Sequence, residues 1–205
     1  MQSMGYSHYW QREKEIEEGT LLRIAADFQQ ILLPLDDLGV RLAGPYGSDI
    51  PEINSDGIAF NGIAECGHPK NEEIYIPFPS ETATGIGNSV TAVVKSYGYG
   101  VEIRHRTCDG LCRCEPFVLE RRINELRTQS EDGSYFACCK THFKPYDLAV
   151  QCILLICKHH LQDRIDVTPG GSDFHWNEAR LLCYQHLNYP LREFAVIHGS
   201  GLVKA

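Results

Sequence analysis

No apolar run in this 205-residue sequence is long enough to span a bilayer. The longest, 148–157, is broken by Gln151, and a membrane core asks for about 20 apolar residues. The first residues carry no apolar segment of signal-peptide length, so secretion by that route is not expected. Residue 2 is Gln2, where an N-myristoyl acceptor would need glycine. There is no Asn-x-Ser/Thr glycosylation site. Several catalytic signatures are also missing. The tail reads His198-Gly199-Ser200-Gly201 and lacks the first glycine of a nucleophile elbow. There is no phosphate loop, and Gly85-Ile86-Gly87 is only a fragment of a dinucleotide fingerprint.

Positive charge is short as well. Nineteen Lys plus Arg face 27 Asp plus Glu, for a net charge of −8. A chain of that sign repels phosphate backbones, so nucleic acid is not the expected partner. The arginines at 104, 106, 113, 121, 122 and 127 are interleaved with Glu102, Asp109, Glu115, Glu120 and Glu125. That mixture reads as a solvated face.

Cysteine and histidine are abundant, with nine of each. An odd cysteine count argues against a secreted disulfide framework. The expectation is a cytoplasmic protein with reduced thiols.

Apolar spacing divides one expected domain, 1–205, into regions. An N-terminal strand and helix run to about 38, the aromatic start (Tyr6, Tyr9 and Trp10) reading as an edge strand. Leu21, Ile24, Ala25, Phe28, Ile31 and Leu32 form one helical stripe, with Thr20 as N-cap and Pro34 as terminator. A strand-rich middle covers about 39–140, with strands expected at 40–43, 57–60, 74–78, 90–95, 101–106, 116–120 and 135–139 and a loop at 80–88. The helical third spans about 145–188. Its first helix, after Pro145, is apolar all round and reads as central and buried. Lys158, His159 and His160 read as a C-terminal cap. A short strand at 165–168 precedes a helix capped by Ser172 or Asp173. The tail, 189–205, is expected to fray after Gly199. Strands in sequence without helices between them pair antiparallel. The predicted fold is α+β, mostly antiparallel sheet with three main helices packed largely on one face.

One cysteine group has the features of a metal site. Cys108 and Cys112 flank an Asp-Gly turn, and Cys114 follows two residues on. Thiolates at such spacing reach one tetrahedral zinc. In an extended segment Cys112 and Cys114 would share a face. Cys66-Gly67-His68 is the natural donor of the remaining ligands. The expected metal set is therefore Cys66, His68, Cys108, Cys112 and Cys114, with zinc as the cofactor. Reduced thiols on a turn, or a Cys108–Cys112 redox pair, are the alternatives.

A second group precedes the central helix. Cys138 or Cys139, near Lys140, His142 and a helix N-terminus, has the surroundings that activate a nucleophile, with Asp147 placed to orient His142. Alternation puts only one of the two cysteines toward any pocket. Cys152, Cys157 and Cys183 fall on apolar helix faces and read as packing residues.

Three functions fit these residues. The first is a binding or scaffold protein without its own catalysis, its partner a protein or a small molecule. The second is a zinc protein built on the cysteine-rich turn. The third is a thiol enzyme centred on Cys138 or Cys139, with Cys139, His142 and Asp147 as its catalytic candidates.

Overall fold

The computed structural model describes residues 6–68, 70–75, 105–124 and 126–205. The expected strand at 90–95 and the loop at 80–88 lie outside these residues, as does most of the strand expected at 101–106. The class is α+β: three helices and several antiparallel sheets. No described helix is long and apolar enough to cross a membrane.

Helix α1, Glu18–Asp37, buries Leu21, Ile24, Ala25, Phe28, Ile31 and Leu35 at three- and four-residue spacing. Thr20 lies inside the first turn and Glu17 stands at the cap position. Pro34 lies inside the helix and does not end it. Its ring removes one hydrogen bond, to the carbonyl of Gln30, and Gln30 is on the exposed face of the helix. The helix stops at Gly39, whose φ of 78° is a left-handed turn. There the Gly39 amide donates to Asp36 O and the Val40 amide to Leu35 O, a Schellman closure.

Strand β1, Ser7–Arg12, lies between β8, Tyr135–Lys140, and β9, Ile165–Thr168. The aromatic start is thus the middle strand of a three-stranded sheet and not an edge. His8, Trp10 and Arg12 alternate inward, and Tyr9 points out. A second sheet orders β2 (Leu42–Ala43), β4 (Gly57–Gly62) and β3 (Glu52–Asn54), with β7 (Phe117–Glu120) also paired to β4. Strand β5, Lys70–Tyr75, pairs with β6, His105–Asp109. In the tail, β10 (Phe194–Ile197) pairs with β11 (Gly201–Lys204), so the chain turns at Gly199 and continues as a strand where fraying was expected.

Helix α2, Asp147–Leu161, is buried along nearly its whole length, packed on α1, on α3 (Asn177–Leu187) and on β9. A 3-10 turn, Asp173–Trp176, precedes α3. Stacked rings cross the core from β1 to α1: Trp10 on Phe117, Phe117 on Phe60 and Phe60 on Phe28, with centroids 5.0 to 5.2 Å apart. Each such buried ring contributes roughly 1.5–3 kcal/mol.

The end of α2 corrects the capping expectation in part. Lys158 does cap, its Nζ donating to the carbonyls of Gln162 and Ile165. The two histidines pair instead with carboxylates, His159 with Glu193 and His160 with Asp27.

Candidate metal centre

Two segments deliver the donors. Cys66 and His68 leave β4 just before β5 begins. Cys108 is the next-to-last residue of β6, and Cys112 follows it after the turn at Gly110, whose φ is 92°. Pairing of β5 with β6 brings the segments together, with Lys70 opposite Asp109. One donor atom from each of Cys66, His68, Cys108 and Cys112 then lies within 4.8 Å of every other. The Sγ atoms of Cys66 and Cys108 are 3.5 Å apart, and those of Cys108 and Cys112 are 3.6 Å apart. His68 Nδ1 is 3.3 Å from Cys112 Sγ. Tetrahedral zinc with its usual bond lengths has S···S edges of about 3.8 Å and N···S edges of about 3.5 Å. A disulfide would hold the sulfurs about 2 Å apart, and all nine cysteines are free thiols.

The three sulfurs are buried in a small apolar cluster of their own, with Ile63 against it. Burial pushes the thiols of Cys108 and Cys112 up, and their mutual hydrogen bonds add to this at Cys112. At Cys66 the effect of burial is outweighed by hydrogen bonding from the His68 backbone and from the other two thiols, so that thiol falls below its ordinary value.

The fifth expected ligand, Cys114, is not in the group. The segment from 111 to 116 is bent and not extended, so the two-residue alternation that would place Cys112 and Cys114 on one face does not apply. Asn61 clamps the Cys114 backbone: Nδ2 donates to its carbonyl and Oδ1 accepts its amide, at 3.0 and 3.1 Å. The Cys114 side chain packs against the main core.

The surrounding body fixes the loop. A Cβ at Gly62 would collide with the Cys112 carbonyl, so the end of β4 presses directly on the loop backbone. Lys144 is buried, and its Nζ donates to Asp109 Oδ1 and to the Leu111 carbonyl. That ammonium holds the Asp109 carboxyl below the usual range. Thr107 donates to the carbonyls of both Phe143 and His142. Gly62, Asn61 and Lys144 were missed in the sequence. The Asn61-Gly62 pair carries a turn signal there, and nothing in the spacing marks Lys144.

The other expected group does not assemble. Cys139 is fully buried, and its thiol donates to the Glu115 carbonyl, which also accepts the Tyr146 hydroxyl. Burial raises the Cys139 thiol well above its ordinary value. Exposed Cys138 is also raised, first by desolvation and then by the charge of Glu115. Asp147 accepts from His8 and Thr141, and among the described residues it has no hydrogen bond to His142. Cys152, Cys157 and Cys183 are core residues, as expected.

The chain matches no protein-family model, no curated protein and no solved structure.

Proposed function

We propose that this chain is a zinc-stapled binding protein, in which Cys66, His68, Cys108 and Cys112 hold one zinc ion with a structural role. The convergence of these four donors within 4.8 Å carries the reading. Three sulfurs and one imidazole nitrogen suit zinc, which takes Cys3His sets in tetrahedral structural sites. Four protein ligands leave no open position for a substrate or an activated water, the mark of a structural site.

The fold gives the ion a task. A two-stranded pairing standing alone is marginal in water, and among the described residues β5 and β6 pair only with each other. The ligand pairs sit where the chain enters β5 and where it leaves β6, so one ion would tie the base of this strand pair to the body. The binding role rests on the acidic, well-cored body. The partner's class, protein or small molecule, is open to direct capture.

The test is elemental analysis of protein purified without added metal. One zinc per chain is expected, with loss of both zinc and thermal stability in Cys112→Ser and retention of both in Cys114→Ser. A wild-type zinc ratio near zero overturns the reading, as does equal zinc loss in the two variants.

A further inference from the structure

A buried ammonium bonds to the loop that carries Cys108 and Cys112. Lys144 is 5% exposed and bonds to Asp109 and Leu111, the residues that follow Cys108 and precede Cys112. Its backbone is placed by an unusual strap. His142 and Phe143, neither of them glycine, have φ of 53° and 58°. Consecutive left-handed residues of this kind persist only where their surroundings hold them. Here Thr107, next to Cys108, holds both carbonyls, at 3.0 and 3.2 Å. The metal loop thus fixes the strap, and the strap aims Lys144 back at the metal loop.

Resting on the zinc reading above, we infer that Lys144 is the positioning residue of the centre: its ammonium holds the Cys108–Cys112 loop in ligating shape. Partners outside the ligand shell commonly set metal retention by about 10–100-fold. The Asp109 carboxylate, largely exposed, serves as the second anchor of that ammonium.

The experiment follows zinc transfer from the full-length protein to a chromophoric chelator at neutral pH. The proteins are wild type, Lys144→Met, Lys144→Arg and Asp109→Ala. Lys144→Met is expected to release zinc at least about tenfold faster, Lys144→Arg to stay close to wild type, and Asp109→Ala to fall between. In cobalt-substituted protein the thiolate-to-cobalt absorption should shift in Lys144→Met and return in Lys144→Arg, a signature that a loss of general stability does not produce. Wild-type protein with zinc, and release rates in Lys144→Met and Asp109→Ala equal to its own, overturns the inference alone. Wild-type protein without zinc overturns the zinc reading and this inference with it. Should Lys144→Met fail to fold, Asp109→Ala decides, because its site is on the surface.

Discussion

His8 Nε2 donates to Asp147 Oδ1 at 2.8 Å, joining side chains 139 residues apart that are both fully buried. The Gly170 amide donates to His8 Nδ1, which places the ring proton on Nε2. The Thr141 hydroxyl donates to the same Asp147 oxygen at 2.6 Å. The N-terminal strand is thereby tied to the first residue of the central helix. His8→Ala leaves the carboxylate short of a hydrogen-bond partner in the core and should cost roughly 1–3 kcal/mol from that loss alone. Urea unfolding of His8→Ala, Asp147→Ala and the double variant measures this. Additive losses would show that the two side chains are not coupled.

Gly62 and Gly67 make a contrasting pair near the metal loop. Gly62→Ala forces a methyl group into the Cys112 backbone, and neither side can swing away. Lower zinc content and a lower melting temperature are expected together. Gly67 has φ of 77° with open space around its missing Cβ, so Gly67→Ala should cost only about 1–2 kcal/mol of backbone strain and keep the ion. Equal zinc contents in the two variants would contradict the close approach.

Thiol labelling at neutral pH should separate the nine cysteines by environment. Cys138 is exposed and should react first. Cys139, Cys152 and Cys157 should stay silent until the protein unfolds, with burial pushing Cys157 up to about 12. Adding a chelator should unmask three more thiols, led by Cys66, whose thiol ionises most readily of the group. Mass spectrometry of the labelled peptides gives the order, and early labelling of Cys139 would revive it as a nucleophile.

Stability should also depend on pH through His175. Burial, with the Arg106 charge acting in the same direction, holds this imidazole below its ordinary value. Its Nδ1 accepts the Ser172 amide, which a protonated ring could not do. The unfolded chain takes up a proton near pH 6.5 that the folded chain resists, so stability falls as pH drops through that range. The urea midpoint of the wild type should fall more steeply between pH 7.5 and 5.5 than that of His175→Asn. Parallel profiles would remove His175 as a source of the slope.

The helices were readable, because Leu21 to Leu32 carry one apolar stripe at helical spacing and 148–157 is apolar nearly all round. Four of the five expected ligand residues met because a glycine turn, Gly67 in one segment and Gly110 in the other, lies between the two donors of each. Cys114 did not, since two-residue alternation assumes an extended chain and Asn61 bends this one. Strand order was hidden for a similar reason. Ser7 to Arg12 looks like any alternating strand, and only the partners at 135–140 and 165–168 make it central. Lys144 owes its place to the left-handed strap at 142–143, and no sequence pattern marks left-handed His or Phe.

The central position of β1 sets an order of events during synthesis. Ser7 pairs with Lys140 and Arg12 with Tyr135, while its other edge waits for 165–168. At about 5–20 residues per second, the ribosome delivers this strand many seconds before either neighbour exists. Trp10 and His8 must spend that interval without their enclosure. Pairings of such long sequence separation also slow folding itself. A strand synthesised well before its neighbours is thus enclosed only once both have emerged.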